Sequence, residues 1–340
     1  MAESCFAFLP LGAIIQSFKV KGIDIVLNFP KQEDYIKHNA PYFGETIGRY
    51  ANRIKGAQIT LNGGQSYPLG ANEGLNTLHG GYNGWGKHVW KGPEILESRS
   101  IPGIAGLQGG ETVRFTHVSE DGDEGFPGTV EMTVTYTTGT LDHNGKEAMV
   151  LAVDYEAKLL GGADETAINL TNHSYFNLTG DATTEGTVVT LSTNQHLPVD
   201  AQLIPTGGPV PFSELDVTKP FTLGVPEPFI DHCFVTNPDP TLVPIDTREE
   251  TLLLNAEAHH PKSGVHLQVF STEPSFQFYT GKFIDVPAVD DAPARGSCGG
   301  FACEPSRWVN AINVPEWRGM ALLKKGETYG SRIVYKAWAD

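Results

Sequence analysis

Residues 130–137 read VEMTVTYT. Val130, Met132, Val134 and Tyr136 alternate with Glu131, Thr133, Thr135 and Thr137. A period of two sends successive side chains to opposite faces of an extended chain, so the stretch predicts a strand with one buried face. Residues 147–159, EAMVLAVDYEAKL, repeat the alternation with a richer apolar content, beyond the turn signal His143-Asn144-Gly145. Farther out, Val265, Leu267 and Val269 alternate with His266 and Gln268. Turn signals recur at Asn62-Gly63-Gly64, Asp121-Gly122-Asp123, Gly161-Gly162 and Gly207-Gly208. Helical spacing is scarce, and a short helix is expected only at 213–217, with Ser213 as N-cap. There is no strand–helix–strand rhythm and no G-x-G-x-x-G after a strand, which argues against a dinucleotide-binding domain. The pattern predicts an all-β protein, a large antiparallel β-sandwich.

The chain has 340 residues, a length at which two domains are possible, although large sandwiches exceed the usual limit as single units. No shift in composition marks a boundary. Glycine- and proline-rich stretches at 98–110, 205–228 and 285–300 read as long loops, a class that is often functional.

The 24 Lys and Arg against 40 Asp and Glu leave a net charge of −16. Such a chain repels phosphate backbones and anionic lipid, so nucleic acid and membrane are poor partners. A neutral small molecule fits better. The N-terminal residues lack a basic and then apolar leader pattern, and no run of about 18 apolar residues occurs. The four cysteines, Cys5, Cys233, Cys298 and Cys303, show neither a dense framework nor zinc spacing. Reduced thiols in a cytoplasmic protein are expected. Three N-x-[ST] sequons crowd together at Asn169, Asn172 and Asn177, where glycans would block the site argued for below.

Four clusters mix polar, aromatic and glycine residues more densely than packing needs: GRYANRI (48–54), NTLHGG (76–81), TNHSYFNLTG (171–180) and FACEPSRWVNAIN (301–313). FIDHCF (229–234) and FQFYTG (276–281) are smaller. Each has a bland alternative. Arg49 and Arg53 read equally as surface arginines, although a guanidinium suits paired hydroxyls. Asn52 and Arg53 face opposite ways in a regular strand, so both reach a ligand only at a strand end or bulge. His79 reads as a turn histidine bonded to backbone, or as a ligand-facing one beside glycines that let the chain approach closely. A lone His173 is more often a satisfied core residue, but its ordinary pKa of about 6.5 suits proton exchange near neutrality. Tyr175 and Phe176 beside it are candidate walls for a sugar site. Glu304 sits among Ala302, Cys303 and Pro305, where a carboxylate is either misplaced or tuned. Asp231–His232 and His259–His260 invite a metal reading, but adjacent residues rarely share one ion. No metal site is expected.

In order and spacing these segments resemble the galactose mutarotases, the aldose 1-epimerases. The resemblance runs nearly end to end: FLPLGAIIQSFKV (8–20) as an opening strand pair, residues 41–90 from PYFGETIGRYANRI to GWGKHVW, AINLTNHSYFNLTG (167–180), QHLPVDAQLIPTG (195–207), FIDHCFV (229–235), FQFYTGKF (276–283) and GGFACEPSRWVNAIN (299–313). It implies one domain over residues 1–340, a β-supersandwich fold, and no cofactor. It implies a hexose such as galactose or glucose as substrate, and a monomer or weak homodimer. By position, His173 matches the general acid and Glu304 the general base. Asn52, Arg53, His79, Asp231 and Gln277 match positions that bind sugar hydroxyls or support the acid. The chain departs from the family pattern after the glutamate, where Pro305-Ser306 replaces a Thr/Ser-Gln pair. A phosphosugar epimerase would need a cationic cluster, for which only Arg49, Arg53 and Lys55 are candidates. A glycosidase needs two carboxylates, and no second one is placed by motif as Glu304 is.

Overall fold

The structure, a computed structural model, describes residues 5–290 and 292–340. The N-terminal leader reading falls in part on residues 1–4, outside the described residues. The alternating stretch at 130–137 lies inside the strand Thr129–His143, which pairs with Lys146–Gly161 from Thr129↔Gly161 to His143↔Lys146. Asn144 (φ 56) and Gly145 (φ 81) close this hairpin. Both central residues have positive φ, the backbone whose twist matches that of paired strands.

The hairpin lies inside a nine-stranded antiparallel sheet. Its spatial order is Phe221–Thr222, Val188–Leu191, Leu253–His260, Val265–Ser271, Thr328–Ala339, Lys146–Gly161, Thr129–His143, Thr112–Ser119 and Lys91–Leu96. A second sheet has six strands in the order Tyr175–Phe176, Phe301–Ser306, Ser275–Tyr279, Asp231–Val235, Gln195–His196 and Val210–Pro211. One face of each meets in the main core. Val130, Met132, Val134 and Tyr136 come from the larger sheet, Phe276, Phe278, Phe301 and Cys303 from the smaller. The antiparallel sandwich expected from the sequence is the observed architecture. The opening strand pair is also present, as Phe6–Leu9 against Ile14–Val20.

The long loop at 98–110 covers the far face of the larger sheet. There Ile101, Ile104 and Leu107 pack on Val150, Ala152 and Val334. This explains why the alternation blurs near residue 137, where both faces are buried.

The short helix expected at 213–217 does not form. Its backbone is engaged elsewhere: the Leu191 N–H donates to the Val217 carbonyl at 2.8 Å, and Asp216 accepts from the Thr218 hydroxyl at 2.7 Å. The chain's one α-helix among the described residues is Gln32–His38, with Glu33 and Asp34 in its first turn and Lys37 and His38 in its last. Those charges oppose the helix dipole favourably.

Pairing in the smaller sheet positions a site. Gln277 lies opposite both Cys233 and Glu304, while Tyr279 lies opposite Asp231 and Ala302, and Tyr175 opposite Ala302. Paired residues share a face, as do residues two apart. Asp231, Gln277, Tyr279, Glu304 and Tyr175 therefore project together from the face opposite the core. The ladder runs unbroken through Phe276↔Pro305, and the neighbouring strand Tyr175–Phe176 pairs only as far as Ala302. Pro305 thus sits where its strand has a locally open edge, the place a sheet tolerates proline. Glu304 is oriented by its pairing with Gln277.

Candidate active site

A cavity of about 280 Å³ opens on that face, near the lower end of the roughly 300–1,000 Å³ typical of ligand pockets and suited to one small molecule. Asn52, Arg53, His79, His173, Asp231, Gln277 and Glu304 all line it. Seven positions spread over more than 250 residues are brought together by three pieces of chain.

The first piece is the smaller sheet, with Asp231, Gln277 and Glu304. The second carries His173 between the short strands Thr171–Asn172 and Tyr175–Phe176. His173 is clamped by main chain on both sides: its N–H donates to the Glu45 carbonyl at 2.9 Å, and its carbonyl accepts from the Gly44 N–H at 3.0 Å. The third pairs Arg53 with Leu78. Asn52 (φ 59) and His79 (φ 51) are both left-handed at its edge, so Asn52 and Arg53 both face the cavity.

Asn52 and His79 fix each other. The Asn52 N–H donates to His79 Nδ1 at 3.2 Å, and the His79 N–H donates to the Asn52 carbonyl at 3.1 Å. His79 is thus a turn histidine bonded to backbone, and it also lines the cavity. A main-chain N–H can only donate, so Nδ1 carries the lone pair and Nε2 the proton. Burial also holds the His79 pKa well below its ordinary value, followed by the charge of His173. His79 is a neutral donor. A Cβ on Gly80 would meet the Gly48 carbonyl oxygen at 2.1 Å, so the close approach is to the protein's own chain.

A line of hydrogen bonds crosses the floor. Asn52 Nδ2 donates to Gln277 Oε1 at 3.3 Å, and Gln277 Nε2 donates to Asp231 Oδ1 at 2.6 Å. Arg53 grips Glu73 with two bonds, Nε to Oε2 at 2.7 Å and Nη2 to Oε1 at 2.6 Å. That bidentate pair fixes the guanidinium plane.

His173 Nε2 lies 3.4 Å from Glu304 Oε2, and both residues are buried. Burial lowers the His173 pKa to about 3. Burial raises Glu304 to about 8, Asp231 adds to the rise, and Arg53 opposes it. The two shifts point the same way, toward the neutral forms. The sequence-based division of roles starts from a protonated His173 and an ionised Glu304. Burial instead favours the neutral pair, with its proton on Glu304.

Several expectations change. Phe176 is no wall: it points into the core, while Tyr175 lines the cavity. Neighbours in a strand face opposite ways. Arg49 is a buried anchor, donating to the carbonyls of Pro127 and Gly128 at 2.9 and 2.8 Å. Of Arg49, Arg53 and Lys55, only Arg53 lines the cavity, so no phosphate-binding cluster forms there. Asp231 lines the cavity with Glu304, and Asp285 joins them as a carboxylate to which the sequence assigns no role. Tyr42, Tyr279 and Phe283 were also missed. Tyr279 was within reach, two residues beyond Gln277 on the same strand face. The sequon asparagines Asn169, Asn172 and Asn177 are buried, and each donates Nδ2 to a main-chain carbonyl. Asp231 faces the cavity while His232 packs on His196 and Phe212, so these neighbours do not converge. Among the described residues, ligating groups converge at His88, His117 and Asp123 and at His79, His173 and Glu304. In the second set His79 presents a proton on Nε2 rather than a lone pair. No helix of the described residues is long and apolar enough to cross a membrane.

The two-sheet sandwich and its polar, aromatic-walled cavity define a galactose mutarotase-like protein. The aldose epimerase homologue from C. elegans superposes with a TM-score of 0.79 at 27% identity, over 98% of this chain and 95% of that one. The galactose 1-epimerase of Lactobacillus acidophilus shares the fold with a TM-score of 0.75 at 21% identity, over 100% and 93% of the chains. The chain belongs to the aldose 1-epimerase family, whose model matches residues 2–336. It is 36% identical to galactose mutarotase of Sus scrofa over 334 residues, covering 94% of this chain and 86% of that protein. It is 38% identical to the bifunctional protein GAL10 of Pachysolen tannophilus over 331 residues, 96% of this chain but 44% of that protein. The chain thus spans less than half the length of that bifunctional relative.

Proposed function

We propose that the protein is a mutarotase that interconverts the α and β anomers of free hexoses such as galactose and glucose. The observation that carries this reading is the buried His173–Glu304 pair, 3.4 Å apart, among groups suited to sugar hydroxyls. His79 Nε2–H and Arg53 donate, and Asp231 accepts.

Mutarotation moves two protons. With the proton on His173, the Glu304 carboxylate takes the C1 hydroxyl proton while His173 gives its own to the ring oxygen. The C1–O5 bond breaks to an aldehyde and a C5 hydroxyl. The pair then consists of neutral His173 and protonated Glu304. Rotation about C1–C2 presents the other carbonyl face. The C5 hydroxyl returns its proton to His173 as O5 attacks C1, and Glu304 protonates the new C1 oxygen. One proton stays on the pair throughout. The form that burial favours is the one that accompanies the open-chain sugar. Each positioned acid or base contributes roughly 10²–10⁴-fold. No electrons or groups leave the sugar, so the reaction makes no demand on a cofactor. Four free thiols and three buried sequon asparagines support a cytoplasmic location.

Polarimetry of freshly dissolved α-galactose and α-glucose tests the reading. A relaxation rate that rises linearly with protein concentration is expected for at least one. Relaxation at the buffer rate for both sugars overturns it.

A further inference from the structure

Beside the two cavity histidines stands a ring to which the sequence assigns no role. The Tyr42 ring centroid lies 4.8 Å from that of His79 and 5.6 Å from that of His173. Tyr42 is half-buried and lines the cavity. The other aromatics of the lining are placed differently. Tyr175 is buried against Phe43 and Tyr279, and Phe283 is 71% exposed at the mouth.

The Tyr42 backbone is held in a left-handed turn, φ 67, with its N–H on the Asn39 carbonyl at 3.2 Å and its own carbonyl on the Glu45 N–H at 3.1 Å. Lys87 Nζ sits 4.5 Å from the ring centroid. That ammonium is fixed by bonds to Glu45 Oε1 at 2.6 Å and the Asn39 carbonyl at 3.0 Å. Glu45 is buried and also accepts from Asn39 Nδ2 at 2.8 Å. The same residue's carbonyl holds the His173 N–H at 2.9 Å. Lys87, Glu45 and Tyr42 thus form one brace, joined to the main chain of the acid–base pair.

A pyranose presents hydroxyls at its rim and patches of C–H on its faces. The face of an aromatic ring carries negative charge density and attracts such polarised C–H groups. We propose that Tyr42 is the platform on which a C–H face of the bound sugar rests, and that Lys87, anchored on Glu45, is the positioning residue that holds the ring in place. This rests on the mutarotase reading above. The ring, not its hydroxyl, makes the contact.

The test compares wild type with Tyr42→Phe, Tyr42→Leu and Tyr42→Ala. The readouts are Kd for galactose by calorimetry and kcat and KM by polarimetry. Tyr42→Phe keeps Kd within about twofold, while both other variants raise Kd and KM at least about tenfold and change kcat little, the signature of lost uniform binding. Lys87→Met combined with Glu45→Gln, which leaves no unpaired buried charge, raises KM by about threefold to fivefold, and Lys87→Arg restores it. Wild-type Kd in both Tyr42→Leu and Tyr42→Ala overturns the platform. So does a loss confined to kcat, or a loss equally large in Tyr42→Phe. Unchanged KM in the Lys87 and Glu45 double variant overturns the brace. The calorimetric arm needs no turnover: if wild type binds galactose or glucose but interconverts the anomers of neither, the mutarotase reading fails and the platform is still decided by Kd for the sugar that binds. If wild type binds neither galactose nor glucose, both fail.

Discussion

Glu304 and His173 are each buried in the form that costs least, and that choice is measurable as stability. Glu304 is raised from 4.5 to about 8, so the folded protein holds its proton more tightly than the unfolded chain does. This contribution is complete below pH 4.5 and is lost as pH rises through 8. His173 is depressed from 6.5 to about 3, so its contribution is complete above pH 6.5 and is lost as pH falls toward 3. Glu304→Gln removes the group that must ionise while buried. Its melting temperature should exceed that of wild type by more at pH 9 than at pH 6, read by thermal denaturation. An equal gap at the two pH values contradicts the assigned burial effect. Both residues stood out in the sequence as oddities, a histidine among asparagines and a carboxylate among apolar neighbours. Their protonation was not legible, because it depends on desolvation and on Asp231, Arg53 and Lys87, groups remote in sequence.

At the scale of elements, alternation did most of the reading. The strand at 129–143 follows from a period of two, whereas the shared face of Asp231, Gln277 and Glu304 needs the register between strands, which alternation does not give. The helix at Gln32–His38 escaped because seven residues give too short a period, and its charge order was the remaining signal. The false helix at 213–217 carried a plausible cap, but its backbone is taken by the sheet at Leu191. Tyr42 escaped because a turn has no period at all. Turns are also where the site is most easily broken. Gly80 has φ +87, and its α-carbon faces the Gly48 carbonyl with no room for a methyl group. Gly80→Ala must move the chain that carries His79. We expect kcat/KM to fall at least about tenfold and the melting temperature to drop, since strain at such a φ costs roughly 1–3 kcal/mol before any clash. Wild-type kcat/KM in that variant would show that His79 does not need this turn.

Across the whole molecule, the site's sheet is tied to the larger one by a buried ion pair. Arg307 Nη1 and Glu273 Oε2 are 2.5 Å apart, and both side chains are 0% exposed. Arg307 also donates to the carbonyls of Ile245 and Gly330, and the Tyr329 hydroxyl donates to Glu273. Breaking such a pair leaves a charge without a partner. Arg307→Met should lower stability by about 3–5 kcal/mol in denaturant unfolding. Adding Glu273→Gln should recover part of that, because the two carbonyls remain without their donor. A loss below about 1 kcal/mol would mean that water reaches the pair. In the sequence Arg307 was a member of a site motif, yet it serves the frame and not the cavity. This frame holds the buried His173–Glu304 pair at a cavity of about 280 Å³. The most direct test is polarimetry of α-galactose with wild type and Glu304→Gln, with sugar binding measured in parallel. The variant is expected to bind galactose within about threefold of wild type and to lose at least about 10²-fold in kcat. A Glu304→Gln protein that relaxes α-galactose at the wild-type rate would contradict this.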